Sequence, residues 1–159
     1  MAKKLGRSIP RRSMVNRDLT AAGALFLSAK SGRCLFLLRD QDTYSNTWSL
    51  VGGKLESNET LYGGLIREIK EEIGFEPTIL KVLPIEYFQS PDGHFNYHTF
   101  AVIVPTEFIP TLSKEHKGFA WCKLDNPPKP LHPGLYRSLQ NKVIKDKLST
   151  IKNILEIAF

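Results

Sequence analysis

The pattern of apolar and polar positions along this 159-residue chain predicts a series of short strands with helical stretches between and after them. Apolar runs and alternating stretches bounded by Gly, Pro, Asn and Asp are typical of strands. The predicted strands span residues 20–28, 33–39, 48–51, 79–88, 97–104 and 118–123.

The first predicted helix lies between the third and fourth strands and is delimited by signals at both ends. Ser57 or Asn58 is expected to cap a helix that starts near Glu59. Gly74 is expected to end it in a left-handed conformation. These limits give one helix of roughly 15 residues.

A second helical pattern follows the last strand. The proline-rich connector DNPPKPLHPG predicts no regular structure, and apolar residues then recur at helical spacing. These apolar positions are Leu135, Leu139, Val143, Ile144, Leu148, Ile151, Ile154 and Leu155. A helix with this stripe should cover the sheet, so the order of elements predicts an α/β/α sandwich with a central mixed β-sheet.

Glu68, Glu71 and Glu72, in the C-terminal half of the first helix, are candidate metal ligands. Residues three and four apart lie side by side on a helix, so Glu68 has both others as neighbours. Three crowded carboxylates cost stability unless a cation offsets them, and the helix dipole disfavours negative charge at this end. Oxygen ligands without nearby Cys or His suit Mg²⁺ or Mn²⁺. A solvated acidic helix face is the alternative.

Charged and glycine residues around these glutamates follow a fixed spacing: Gly53-x5-Glu59-x7-Arg67-Glu68-Ile69-x-Glu71-Glu72-x-Gly74-Phe75. This stretch resembles the Nudix box, the signature of hydrolases that act on a nucleoside diphosphate linked to another moiety. Every charged and glycine position fits, and the final position, usually aliphatic, is Phe75. Flanking strand patterns extend the resemblance over about residues 18–125.

The resemblance implies a Nudix-type α/β/α sandwich and a metal site. Glu68 and Glu72 would be the main metal ligands, and Glu71 would bind directly or through water. The Gly52 carbonyl would add a backbone oxygen. The reaction implied is substitution at phosphorus by a metal-activated water, without a covalent intermediate.

Arg67 and Glu59 have a supporting role in this resemblance. Arg67 would pair with a carboxylate, either Glu59 or Glu71, and so orient the metal ligands. An ordinary ion pair on the helix surface is the alternative interpretation.

The group that removes the proton from water is left open. Glu115 is the candidate outside the box, because a loop between two strands would carry it over the metals, as in several related enzymes. His94, His98 and His116 are also candidates because histidine titrates near neutrality. An exposed loop residue is the alternative for each of them.

Substrate contacts are expected next to the glycine pair and on nearby strands. Gly53 and Lys54 adjoin the site, where glycine lets the backbone approach a ligand. Arg39, at the end of the second strand, is placed to meet a phosphate. Candidates for stacking a base are Tyr44, Phe88, Phe95 and Tyr97. A position in the core or at the rim is the alternative for each of them.

The sequence therefore favours a Mg²⁺- or Mn²⁺-dependent hydrolase of nucleoside diphosphate derivatives. ADP-ribose or a nucleotide sugar is preferred, since some Nudix enzymes of that type have a proline near the position of Pro91, although a simple turn also explains Pro-Asp-Gly. A nucleoside triphosphate or the 5′ end of RNA is the alternative substrate. A non-catalytic nucleotide-sensing or RNA-binding module is the alternative class, and such modules generally lose box carboxylates that this chain keeps.

Six basic residues and no acidic residue lie within residues 1–17, and they equal the formal net charge of +6 of the whole chain. We expect a basic, mobile N-terminal arm at residues 1–17 ahead of a single domain over residues 18–159 that includes the C-terminal helix. An arm of this charge favours RNA as a partner through counterion release. It lacks the apolar stretch of a secretory signal.

Composition fits one cytoplasmic enzyme domain. The hydrophobic content is 42%, and no segment approaches the ~20 apolar residues of a membrane span, so no membrane partner is expected. Cys34 and Cys122 lie in predicted strands and are expected to be buried and reduced. The sequence does not determine the oligomeric state, and a homodimer stays open.

Overall fold

A computed structural model describes residues 18–158. The strands are β1 (Leu19–Ser28), β2 (Cys34–Arg39), β3 (Trp48–Ser49), β4 (Val51–Lys54), β5 (Lys81–Gln89), β6 (Phe95–Val104) and β7 (His116–Cys122). The helices of this part of the chain are α1 (Leu61–Ile73), α2 (Pro133–Gln140) and α3 (Lys142–Ala158). The basic arm at residues 1–17 lies outside the described residues, so its RNA-binding role stays a prediction.

The strands form one mixed sheet, as predicted. β1 runs parallel to β6, and the other strand pairs are antiparallel. The order across the sheet is β3-β2-β1-β6-β5, while β4 also pairs with β1 and β7 also pairs with β2. The long central strand β1 therefore contacts strands on both of its edges.

Hydrophobic clusters lie on both faces of the sheet. Phe26 of β1 packs in one cluster with Leu65 and Ile69 of α1. The next residue, Leu27, faces a second cluster that contains Ile144 of α3. Successive side chains of a strand point to opposite faces, so α1 and α3 cover opposite sides of the sheet. This arrangement confirms the α/β/α sandwich.

The start of α1 differs from the prediction by a few residues. Thr60 is the N-cap, and its Oγ1 accepts a hydrogen bond from the N–H of Gly63 at 3.0 Å. Asn58 has a φ of 66° and therefore lies in a left-handed turn, whereas an N-cap residue is extended. Glu59 consequently precedes the helix. The predicted end is confirmed, because Gly74 is left-handed with a φ of 86°.

The strand predicted at residues 48–51 is divided at Leu50 into two. β3 pairs with β2, whereas β4 pairs with β1, so the chain changes its partner strand at this residue. β4 then continues to Lys54. Gly52 and Gly53 accordingly lie inside strand β4.

The C-terminal apolar stripe forms two helices instead of one. Asn141 is extended between them, and its Oδ1 accepts hydrogen bonds from the N–H groups of Val143 at 2.9 Å and Ile144 at 3.2 Å. Asn141 thus caps α3. Ile144 is buried, but Val143 and Ile154 are exposed, so the stripe covers the sheet only in part. The connector is irregular as predicted, except that its last two residues begin α2.

Both cysteines are free thiols and are neighbours across β2 and β7. Cys34 is fully buried, and burial raises its thiol pKa to about 12. Cys122 is only half-buried, contrary to expectation, because β7 is the outer strand of its pair. Within residues 18–158 no helix has the length and apolar character needed to span a bilayer.

Candidate active site

A cleft of about 1020 Å³ is lined by α1 and β4, by β5 and β6, and by α2. It brings together residues that are far apart in the sequence. The predicted site residues that line it are Arg39, Tyr44, Gly52, Gly53, Lys54, Arg67, Glu68, Glu71, Glu72, Phe88, Phe95, Tyr97, Glu115 and His116. Further lining residues, which the sequence did not indicate, are Glu86, Thr99, His132, Arg137 and Ser138.

Arg67 organises the acidic side of the cleft. Its guanidinium donates two hydrogen bonds to Glu59, from Nε to Oε2 at 2.6 Å and from Nη2 to Oε1 at 2.9 Å. Nη1 donates to both Glu68 and Glu71 at 3.2 Å, and Nη2 also reaches the Lys54 carbonyl at 3.0 Å. The guanidinium lowers the pKa of Glu59 to about 2. Arg67 therefore contacts both carboxylates that the sequence offered as partners, with Glu59 held most closely.

Glu72 is a buried carboxylate with an unusual pKa. It is 4% exposed, and its Oε1 accepts a hydrogen bond from the N–H of Gly52 at 2.8 Å. Burial raises its pKa to about 9, and the charges of Glu68 and Glu115 add to that rise. Burial also raises the pKa of Glu68, which Arg67 partly offsets. Glu72, one of the three metal ligands that the spacing predicts, is thus the most buried acidic residue of the cleft.

Gly53 leaves room for the Glu68 carboxylate. A Cβ on residue 53 would lie 2.5 Å from Glu68 Oε2 and 2.6 Å from its Cδ, which is too close for any real contact. Glycine at this position therefore allows strand β4 and the carboxylate to touch.

We expect Gly53→Ala to displace the Glu68 carboxylate and to weaken the metal-dependent activity that the sequence predicts by about 10-fold, the lower end for disturbed ligand orientation. The contact is with the end of a flexible side chain, so the melting temperature should change little. Gly118→Ala is the matched control, since its Cβ would meet Leu38 at an ordinary 3.6 Å. Kinetics as a function of Mg²⁺ concentration measure the effect, and equal behaviour of the two variants would contradict it.

The acidic cluster suits a divalent cation by the chemistry of its donors. Four acids line one cleft: Glu68, Glu71, Glu72 and Glu115. Among residues 18–158, Arg67 is the only cation paired with Glu68 and Glu71, and hard oxygen donors prefer Mg²⁺ or Mn²⁺. In residues 18–158 no three acidic, histidine or cysteine side chains stand in a ready-made metal arrangement. Glu68 and Glu71 each accept a hydrogen bond from Arg67 through one carboxylate oxygen, Oε2 and Oε1 respectively.

Glu115 and His116 lie where the loop before β7 reaches the cleft. The Glu115 carbonyl accepts a hydrogen bond from the N–H of Asp40 at 2.8 Å, which fixes this loop to the end of β2. Burial lowers the pKa of His116 to about 4, and the charge of Arg39 lowers it further. Its Nδ1 is buried without a hydrogen-bond partner. His116 is thus a weak base at neutral pH. Glu115 is exposed, and it lies close enough to Glu72 to contribute to the raised pKa of that residue.

A loop after β2 forms another wall of the cleft. Arg39 Nη2 donates to the Thr43 carbonyl at 2.9 Å and so supports this loop from inside the cleft. Tyr44 has a φ of 51°, a conformation that aromatic residues rarely adopt. Its ring meets that of His132 edge-on at a centroid distance of 4.6 Å. The half-exposed Tyr44 ring is therefore available to a ligand on its free face.

The predicted aromatic residues of β5 and β6 differ in what they contact. The Arg137 guanidinium lies 5.7 Å from the centroid of Phe88, and the Phe95 ring is 6.4 Å from that of Phe88. The hydroxyl of Tyr97 occupies the space that a Cβ on Gly23 would need. Burial, with the nearby charges of acidic residues, raises the pKa of Tyr97 to about 12. Tyr97 thus lies on the floor of the cleft, while Phe88 and Phe95 line its side.

Besides Glu59, which binds Arg67 but is not part of the lining, three residues considered from the sequence lie away from the cleft. Pro91 is exposed in the turn between β5 and β6, where the N–H of Gly93 donates to the Ser90 carbonyl at 2.9 Å. His98 packs beside Tyr87 on the outer side of β6. His94 contacts Asp18 at 3.0 Å. Their positions give no support for a role in substrate binding or proton transfer.

Comparison with known proteins identifies a domain family and two relatives that this chain resembles. A family model described as the NUDIX domain matches residues 18–142. The CTP pyrophosphohydrolase of Escherichia coli is 28% identical over 95 residues, which cover 58% of this chain and 68% of that protein. The ADP-ribose pyrophosphatase of Methanocaldococcus jannaschii is 30% identical over 80 residues, covering 50% of this chain and 46% of that protein. The match thus spans less than half of the second relative.

A solved structure supports the architecture. The Nudix hydrolase RenU from M. smegmatis superimposes with a TM-score of 0.69 and 24% identity over 85% of this chain and 88% of that chain. At this level of identity the likeness concerns the fold. The α/β/α sandwich inferred from the order of elements is therefore confirmed independently.

Proposed function

Since this chain belongs to the Nudix family of pyrophosphohydrolases, we propose that it cleaves the diphosphate linkage of a nucleoside diphosphate derivative with the help of Mg²⁺ or Mn²⁺. ADP-ribose or a nucleotide sugar is the favoured class. The observation that carries the proposal is the burial of Glu72 beside Glu68 and Glu115 in a cleft large enough for a nucleotide. A buried carboxylate beside two others serves stability poorly and metal binding well.

Each group of residues has a distinct task in the reaction. A bound Mg²⁺ or Mn²⁺ supplies Lewis acidity to the diphosphate and to the attacking water. Glu68, Glu71 and Glu72 would hold the cation together with the carbonyl of Gly52. Glu115 accepts the proton of the attacking water, because it reaches the cleft from outside α1 and remains exposed.

The supporting residues fix the geometry of the acids and of the phosphates. Arg67, held by Glu59, keeps Glu68 and Glu71 on one side of the cleft. Arg39 lies at the end of β2 in the same cleft and is assigned to a phosphate. The Gly53 backbone and Lys54 border the path of the phosphate chain.

The substrate class is inferred from the two kinds of cleft wall. Acidic groups line one part, whereas Phe88, Phe95 and Tyr44 offer aromatic faces elsewhere for a base or sugar. The relatives include a CTP pyrophosphohydrolase and an ADP-ribose pyrophosphatase, so a triphosphate and a sugar-linked diphosphate are the two substrate types to compare. The free thiols support a reducing, cytoplasmic location.

The test is a panel of nucleotides incubated with full-length protein and Mg²⁺ or Mn²⁺. We expect ADP-ribose or a nucleotide sugar to be cleaved to two monophosphates, with turnover abolished by a chelator. The panel includes nucleoside triphosphates and RNA with a 5′ triphosphate, whose preferential cleavage would replace the favoured substrate. Binding of a nucleotide without release of any product would overturn the enzymatic assignment in favour of a sensor.

A further inference from the structure

The cleft contains a carboxylate that the reaction does not use. Glu86 lies on β5 and lines the cleft, and Thr99 is its register partner on β6. The Ser138 hydroxyl of α2 donates a hydrogen bond to Glu86 Oε1 at 2.6 Å. The side chain is therefore held between the sheet and α2, inside the cleft rather than on the outer surface.

The charge of Glu86 has no cation bound to it within the described part of the chain. None of the ion pairs within 4 Å among residues 18–158 includes Glu86. The neighbouring Arg137 instead lies over the ring of Phe88. No residue within 18–158 donates a hydrogen bond to Glu86 Oε2, so this oxygen can accept one from a ligand.

The surroundings of Glu86 suit a nucleobase. Phe88 is two residues further along the same strand, so both side chains lie on one face of the sheet. Leu135 and Leu139 of α2 add apolar surface to the same cleft. An ionised carboxylate is an acceptor only, so a ligand must present an N–H or O–H to it. Phosphates are repelled by this charge, which assigns the uncharged end of a nucleotide to Glu86.

We propose that Glu86 accepts a hydrogen bond from an exocyclic amino group of the nucleobase. Phe88 and Arg137 then lie beside the nucleobase, and Ser138 is the residue that positions the carboxylate. The protein then prefers adenine, guanine or cytosine nucleotides to their hypoxanthine or uracil counterparts. This inference rests on the proposed function only for placing the phosphates at the acidic side of the cleft.

The base preference is tested by binding, without catalysis. Dissociation constants of AMP, GMP, IMP, CMP and UMP are measured by calorimetry on the full chain in the presence of a chelator. At least one amino-bearing nucleotide should bind about 10-fold or more tightly than the nucleotide that lacks this amino group (IMP for AMP and GMP, UMP for CMP), as a hydrogen bond to a charged group implies. Ratios all within two-fold, or no binding at millimolar concentration, would overturn the proposal.

Glu86→Gln identifies the residue responsible. Its amide can donate to the carbonyl of hypoxanthine or uracil, so the preference should fall to within two-fold or invert. Ser138→Ala should reduce the preference in part by releasing the carboxylate. Glu156→Gln, an exposed acid on α3 outside this cleft, should leave it unchanged. If Glu86→Gln melts at the wild-type temperature and keeps the wild-type base preference, the assignment is refuted. If the variant loses affinity equally for both nucleotides of a pair, Glu86 binds a ribose hydroxyl and not the base.

These results are independent of the test of the proposed function. Failure to hydrolyse any nucleotide while the amino preference persists would leave base recognition standing and remove the enzymatic assignment. Hydrolysis without an amino preference would do the reverse. The two proposals therefore fail separately.

Discussion

Glu72→Gln is expected to lower kcat/KM by roughly 1000-fold, because it removes an anionic oxygen from the proposed metal site while keeping the shape of the side chain. A metal ion contributes several kcal/mol to stabilisation of the transition state, and each 1.36 kcal/mol corresponds to a factor of ten. Steady-state kinetics with saturating Mg²⁺ on the best substrate of the nucleotide panel measure the loss. Turnover within a few-fold of wild type would show that Glu72 is not a ligand.

The matched control for this loss is Glu76→Gln. Glu76 lies just beyond α1 and pairs with Lys70 on the surface, at 3.3 Å and outside the cleft. Its replacement neutralises one acid of the same region without touching the site. We expect the activity of this variant to remain at the wild-type level.

The same Glu72→Gln variant should be more stable than the wild type when no metal is present. Folding raises the pKa of Glu72 from 4.5 to about 9, so its favourable contribution is complete below pH 4.5 and is lost as the pH rises towards 9. At pH 7 the wild type should lose about 3 kcal/mol by this effect. Glutamine avoids the loss, and its Oε1 can still accept the Gly52 N–H.

Thermal melts in a chelator at several pH values measure this stability difference. For a chain of this length about 3 kcal/mol corresponds to a rise of roughly 6–12 °C in melting temperature at pH 7. The difference should disappear near pH 4.5 and shrink when Mg²⁺ stabilises the wild type. A variant that melts below the wild type at pH 8 in the chelator would contradict the burial argument.

Local periodicity was sufficient to predict the sandwich and the acidic cluster. A helix places residues three and four apart on one side, so the spacing of Glu68, Glu71 and Glu72 predicted their proximity without knowledge of the fold. The Gly74 stop was equally local, because a left-handed residue favours glycine. The sequence predictions were wrong where contacts between residues far apart in the sequence determine the structure. The chain breaks at Leu50 because β3 and β4 pair with different strands.

The unpredicted part of the site depends on contacts across the fold. Glu86 and Ser138 are hydrogen-bonded although they are 52 residues apart, and neither belongs to a local pattern. The burial of His116, which makes it a weak base, is likewise set by packing. Alternation along β5 marks Glu86 as sharing a face with Phe88, but only the position of α2 shows that this face lines the cleft.

Arg67→Lys tests whether the ion network of the cleft positions the metal ligands. Lysine keeps the charge but lacks the planar fork that binds both oxygens of Glu59 while a further nitrogen reaches Glu68 and Glu71. We expect the Mg²⁺ concentration for half-maximal activity to rise by about 10–100-fold, as is typical for residues that orient ligands. If Arg67 acts only by orienting Glu68 and Glu71, kcat at saturating Mg²⁺ should recover towards the wild-type value.

Arg33→Lys is the control, since Arg33 forms the other two-pronged Arg–Glu pair of the described residues. Its Nε lies 2.6 Å from Glu107 Oε2 and its Nη2 lies 2.7 Å from Oε1, outside the cleft. This variant should keep the wild-type Mg²⁺ dependence. If Arg67→Lys instead lowered kcat at every Mg²⁺ concentration without changing the metal requirement, Arg67 would contact the substrate directly. The positioning role would then be wrong, and the Glu59 pair would serve to hold a substrate-binding arginine.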